Sequence, residues 1–287
     1  MAETLIVSVG EVVWDRFPSG AVLGGAPLNV AYHLQARGLP VLAVSRLGDD
    51  ELGTETLIRL KQLDLLTTGM QRDERWPTGE VVVHLGEDNE PHFEIARPAA
   101  WDFIELAPLL QAVGERDFHL VFGTLGQREE VSRQTIQALW PQARTLFYDV
   151  NLRPPFTPWE HVAGSLKVAD VVKVNEDELR QVHDWCGGKG EGDEEMARYI
   201  MAHFAIELLA VTRGSKGAML VRQGDEVAHH PGFTVAVADT VGSGDAFFSG
   251  VINGYLRGDE LSAIVREANR LGSFVAGCSG ATPAYED

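Results

Sequence analysis

Short apolar runs alternate along this chain with longer stretches of helical spacing, and that rhythm admits few folds. Leu5–Val9 reads as a buried strand, Pro27–Arg37 as a helix stopped by Gly38, Val41–Ser45 as a strand and Gly53–Leu63 as a helix. Further strand-like runs stand at Leu120–Phe122, Thr145–Asp149, Val171–Val174 and Leu208–Thr212. Helical patterns such as Val131–Leu139 and Glu194–Phe204 lie between them. This order predicts an α/β fold: a mostly parallel central sheet flanked by helices on both faces.

Two segments break the rhythm. Thr78–Leu85 and His92–Ala96 alternate partly and flank the polar turn GEDNEP, which predicts a hairpin; Asp15–Leu23, around FPSG, predicts another. Strands without a following helix read as a small β flap over one sheet edge, inserted at about residues 13–24 and 78–97. With 287 residues and no internal repeat or low-complexity linker, the chain reads as a single domain over 1–287.

Charge narrows the partners. A formal net charge of −18 argues against nucleic acid and against an anionic membrane surface. An anionic substrate must then be held by local devices such as backbone N–H groups, a few cations or a metal. Cys186 and Cys278 stand far apart in no ligand spacing, which fits a reducing cytoplasm. The opening MAETLIVSVGEVVWD has no basic leader region and reads as a first strand. No apolar run approaches the roughly 20 residues that span a bilayer.

The stretch DTVGSGDAFFSG, Asp239–Gly250, carries the chemistry. FTVAVAD before it alternates like a strand, and AFFSGVINGYL after it is long enough for a helix, so Gly244 and Asp245 fall at a helix start. Helix-start N–H groups lack internal acceptors and carry partial positive charge. Gly242, Ser243 and Gly244 can therefore form an anion nest. An aspartate there makes sense as the base that deprotonates a hydroxyl attacking a phosphate held by the nest. The same residues also suit a capped helix after a tight turn. Neither a P-loop nor a dinucleotide fingerprint is present.

DTVGSGD resembles the DTxGAGD signature of the ribokinase-like (PfkB) family of sugar kinases, with Ser243 in place of the usual alanine. The resemblance implies that Asp245 is the catalytic base, that the nest stabilises the transferred phosphoryl group, and that the flap is a β-sheet lid. GGAPLNVAYHLQARG, Gly24–Gly38, is similar to the family's N-terminal signature and implies sugar contacts by Gly24, Gly25 and Asn29. Asp15, in GEVVWD, matches the family's sugar-binding aspartate. VNEDEL matches its N-x-x-E motif, implying that Asn175 and Glu178 meet Mg²⁺ through water; Asn175 also stands among the implied ATP contacts. TRGSKG resembles the nucleotide loop, implying contacts with ATP at Thr212, Gly214 and Gly217, with Asn269 near the adenine. Asp239 and the tail VAGCSGATP are similar to a monovalent-cation site that takes K⁺.

GGAPLN looks more like the fructokinases than like ribokinase, and YDVNLRPPFTPW resembles a stretch shared by fructokinases and 2-keto-3-deoxygluconate kinases. Arg97 and Arg153 are candidate substrate contacts, since a guanidinium fork suits a carboxylate; they equally suit a hydroxyl, a nucleotide phosphate or a pairing with surface acids. The expectation is an ATP-dependent sugar kinase acting on a primary hydroxyl, with D-fructose first and 2-keto-3-deoxygluconate as the alternative. A binding protein without turnover and a nicotinamide dehydrogenase are the remaining classes. An exposed lid edge would pair two copies into a homodimer.

Overall fold

The structure, a computed structural model, describes residues 4–17, 20–85 and 91–285. Its elements begin with β1 (Leu5–Val9), β2 (Val13–Phe17), β3 (Gly20–Gly24), α1 (Ala26–Gln35), β4 (Val41–Gly48), α2 (Glu51–Gln62) and β5 (Met70–Asp73). There follow β6 (Gly79–Leu85), β7 (Pro91–Ile95), α3 (Leu106–Val113), β8 (Phe118–Gly123), α4 (Glu130–Leu139), β9 (Leu146–Asp149) and α5 (Trp159–Leu166). The chain continues through β10 (Val171–Asn175), α6 (Glu176–Trp185), α7 (Asp193–Phe204), β11 (Leu208–Thr212), β12 (Ala218–Arg222), β13 (Val227–His230), α8 (Ser243–Arg257) and α9 (Leu261–Ala276).

Among the described residues the large sheet has nine strands in the order β13-β12-β11-β10-β9-β8-β1-β4-β5. From β5 to β11 every pair is parallel, and β12 and β13 close the edge as an antiparallel hairpin. Side chains on β1 divide between two cores. Leu5, Val7 and Val9 face the side covered by α3 to α7, while Ile6 faces α1, α8 and α9. This two-sided burial is why the strands are apolar at most positions.

The period-two segments form a second sheet, in the order β3-β2-β6-β7. β2 pairs antiparallel with β3 and parallel with β6, so the two insertions are stitched into one surface. Most of the turn GEDNEP, residues 86–90, lies outside the described residues, as do residues 18–19 of FPSG.

One expected element is absent. FTVAVAD pairs with no strand; residues 231–241 are irregular and mostly exposed up to α8. Its alternation does separate two sides of the segment, but Phe233, Val235 and Val237 line a cavity instead of a sheet.

Helices α8 and α9 pack closely because of two glycines four residues apart. A Cβ on Gly250 would lie 2.7 Å from Ala268 Cα, and one on Gly254 2.7 Å from Ile264 Cγ1. The close packing fixes the head of α8 against α9, at the end of the sheet where the parallel strands terminate.

Candidate active site

The carboxyl ends of parallel strands collect loops and helix N-termini, and ligands bind there. At this edge the residue preceding α8 is Gly242, with φ 76°. A Cβ on it would fall 2.4 Å from Ala281 Cβ, so the turn admits only glycine. Among the described residues Gly244 and Asp245 donate their N–H groups to no protein acceptor, and Ser243 N–H reaches only Thr240 O, at 3.3 Å. The Ser243 hydroxyl donates to Gly272 O at 2.9 Å, tying α8 to α9. The serine that departs from the family signature is thus engaged in packing.

Asp245 lies in the first turn of α8, and its Oδ2 accepts a 2.8 Å hydrogen bond from Asn29 Nδ2. Asn29 reaches it from α1, whose cap is Gly25 at φ 120°. A Cβ on Gly25 would stand 2.3 Å from Glu11 O, so this approach also depends on glycine. Burial pushes the Asp245 carboxyl up, against the pull of Lys173, the Asn29 bond and Arg153. The net rise makes it a stronger base than a surface aspartate.

Asp15 sits in β2 of the small sheet, opposite Val22 and Val81. Burial pushes it up to about 6, Arg153 pulls it down, and Asp239 adds to the rise. Gly24 leaves room for it, since a Cβ there would stand 3.1 Å from Asp15 Oδ2. Arg153 is exposed, donates to Leu152 O at 2.9 Å and makes no salt bridge among the described residues. Its charge acts on Glu11, Asp15 and Asp245 together. Arg97 is placed differently. It pairs with Glu129 at the surface and lies 5.9 Å from the Phe156 ring centre.

On the other side of Gly244 opens a cavity of about 780 Å³. Asn175, Thr212, Gly214, Gly217 and Asn269 all line it. TRGSKG is the turn between β11 and β12, closed by Arg213 N–H to Gly217 O at 2.8 Å. Phe233, Val235 and Val237 line the same cavity, and all three are exposed. This is the apolar face of FTVAVAD.

Asn175 and Glu178 form a reciprocal cap at the start of α6. Glu178 Oε2 accepts from Asn175 N, Asn175 Oδ1 from Glu178 N, and Glu178 Oε1 from Leu152 N, each at 2.8 Å. The pair thereby anchors the loop that carries Arg153. Among the described residues no group of three or more His, Cys, Asp or Glu is arranged to hold a metal. Each Glu178 oxygen retains a lone pair, which suits contact through the water of a phosphate-bound Mg²⁺. Asp239 accepts from Val241 N at 3.0 Å and from Gly280 N at 3.3 Å, joining this loop to the tail.

The family model for pfkB family carbohydrate kinases matches residues 19–287. The chain belongs to the PfkB family of carbohydrate kinases. The probable fructokinase-7 of Arabidopsis thaliana is 31% identical over 318 residues, covering 99% of this chain and 90% of that protein. The fructokinase of Escherichia coli is 31% identical over 283 residues, covering 92% of this chain and 88% of that protein. The crystal structure of an uncharacterized sugar kinase PH1459 from Pyrococcus horikoshii, in complex with ATP, aligns with a TM-score of 0.80 at 26% identity. That alignment covers 96% of this chain and 94% of the other. This PfkB kinase is therefore a phosphotransferase on a ribokinase-type fold, and among its described residues no helix is long and apolar enough to cross a membrane.

Three charged residues beside Asp245 carry no role from the sequence, although Asp149 opens the D-x-N-x-R part of YDVNLRPPFTPW. Glu11 follows β1, is 4% exposed, and has an Oε2 without a hydrogen-bond partner; burial pushes it up to about 7. Lys173 and Asp149 face each other across β10 and β9. A lysine inside the run VVKVN was the available signal, because a buried ammonium needs a partner. The tail is a fourth surprise. His33 Nε2 contacts Ala281 O at 3.0 Å and its Nδ1 contacts Tyr285 OH at 2.7 Å, seating Ala281 against Gly242.

Proposed function

We propose that this kinase transfers the γ-phosphoryl group of ATP to a primary hydroxyl of a neutral ketose, D-fructose before others. The reading rests on one arrangement: a carboxyl of raised pKa at the head of α8, held by Asn29, between free helix-start amides and the Asp15 end of the cleft. ATP would lie across the cavity at Thr212–Gly217, its base against Phe233, Val235 and Val237 and near Asn269, and its γ-phosphate toward Gly242–Gly244. The sugar would lie between Asp15, Gly24, Gly25, Asn29 and Arg153.

In the reaction the Asp245 carboxylate takes the proton of the sugar hydroxyl. The freed oxygen lone pair forms the new bond to Pγ, and the bond from Pγ to the bridging oxygen breaks with its electron pair leaving on ADP. The helix-start amides receive charge on the group in transit. Mg²⁺ on the phosphates would supply charge neutralisation, with Asn175 and Glu178 meeting its waters. The small sheet acts as a lid that keeps water out of the phosphoryl acceptor position. Asp239 with the tail is proposed to hold K⁺. The lid's edge strands β3 and β7 are proposed to join two copies, and sedimentation showing only monomer at micromolar concentration overturns that. Two free cysteines fit a reducing cytoplasm.

Fructose is preferred because the two relatives named above are a probable fructokinase and a fructokinase, and because Arg97 is already paired with Glu129. Arg153, without a salt bridge, favours a second reading with 2-keto-3-deoxygluconate, whose carboxylate it would meet. Coupled ADP release with MgATP and fructose, 2-keto-3-deoxygluconate, ribose or a nucleoside decides between them. Turnover with none of these acceptors overturns the proposal.

A further inference from the structure

We infer that Lys173 is a catalytic residue of this kinase, donating from the sheet side to the phosphoryl group held by the α8 amides. The inference rests on the phosphoryl-transfer reading above and adds a residue to it.

Lys173 stands in β10 between the buried Val172 and Val174 and is itself only 6% exposed. Its Nζ lies 3.0 Å from Asp149 Oδ1 and 3.2 Å from Oδ2, both on one carboxyl. An ammonium has three N–H donors, so one remains for another acceptor. Nζ also stands 3.3 Å from where a side chain on Gly244 would begin, next to the first turn of α8. The ammonium and the free amides therefore face the same small volume. Asp149, Glu178 and Asp245 outweigh burial and keep the lysine protonated.

A purely structural pair explains this placement poorly. Lys173 and Asp149 are already opposite partners in the parallel β9–β10 ladder, whose backbone bonds set the register without them. Apolar side chains of similar volume usually serve a buried strand as well as an ion pair does, or better. The cation earns its place if something anionic arrives. The transferred group carries negative charge on its equatorial oxygens while the bond from the sugar oxygen to Pγ forms and the bond to the ADP oxygen breaks. Lys173 would donate to one of those oxygens, the N–H groups of Gly244 and Asp245 to others, and the sugar proton would still pass to Asp245.

The test compares wild type with Lys173→Met in coupled ADP release with fructose and MgATP, alongside MgADP affinity with and without aluminium fluoride, a planar mimic of the group in transit. The expected result is a fall in kcat on the order of 10²-fold, with both KM values within about threefold. The gain in MgADP affinity that aluminium fluoride produces in wild type should disappear. Because Lys173→Met leaves Asp149 buried and unpaired, the double variant Lys173→Met with Asp149→Asn is measured too, and it should show the same two losses. If either folded variant keeps kcat within threefold of wild type, or keeps the aluminium fluoride gain, the inference is overturned while the kinase reading stands. A wild-type protein with no sugar-dependent ADP release overturns the kinase reading itself.

Discussion

The two regions that meet at Asp245 are built on different physics. The proposed sugar end is made of buried or half-buried ionisable groups, Glu11, Asp15 and Asp245, around one guanidinium, Arg153. The proposed nucleotide end is a cavity of about 780 Å³ with an exposed apolar strap, where Val237 is 64% exposed. Desolvated charge makes the first end pH-dependent and intolerant of substitution. The second end gains from burying apolar surface on the ligand, a non-directional effect that tolerates change. Sensitivity to mutation should therefore be steep on one side of Gly244 and shallow on the other.

The steepest break is Asp245→Asn. It should lower kcat by about 10²- to 10⁴-fold while leaving the KM for ATP nearly unchanged, measured by coupled ADP release. An ATP KM that rises in step with the loss would mean that the two ends are not separate.

Next comes pH. In the proposed reaction Asp15, at about 6, and the raised Asp245 act ionised, the first in sugar binding and the second in proton abstraction. The kcat/KM for the sugar should therefore fall as pH drops through 6, above the range of ordinary carboxylates, while ATP binding stays level there. Glu11 acts on stability with the opposite sign. Its folded-state value of about 7 exceeds the ordinary 4.5, so its contribution is complete below 4.5 and is lost as pH rises through 7. In Glu11→Gln the drop in Tm between pH 5 and pH 8 should shrink, as followed by thermal melts.

At the nucleotide end, Val237→Ser removes about 1 kcal/mol of apolar burial and should raise the KM for ATP about fivefold, with the sugar KM unchanged. The smallest effect belongs to Arg97→Ala. Its exposed pair with Glu129 contributes under about 1 kcal/mol, and fructose turnover should stay within about threefold of wild type. A large rise in KM for 2-keto-3-deoxygluconate alone would instead place Arg97 on that substrate.

Legibility in the sequence followed the same division. β1, β10 and β11 were readable because burial on both faces favours near-continuous apolar runs, and α8 because its glycines and small residues mark a helix start. Asp245, Asn29 and Thr212–Gly217 were readable as motifs, since each needs a particular residue type at a particular turn. FTVAVAD misled because period two reports side chains of alternating polarity and says nothing of whether a neighbouring strand covers them. Glu11 and Lys173 were missed because one charged residue in or beside an apolar strand has no spacing signature; Asp149, inside YDVNLRPPFTPW, carried no assigned role because its partner stands on another strand.

The sequence alone determined the layering of strands and helices and the chemical identity of the turn at Gly242–Asp245, because local periodicity and backbone sterics act over a few residues. Only the tertiary structure decided that Asn29 would hold Asp245 across 216 residues, that Asp149 would face Lys173, and that Arg97 would turn to Glu129. Those outcomes depend on which strand ends lie side by side in the sheet, and strand order is set by long-range packing that no short segment encodes.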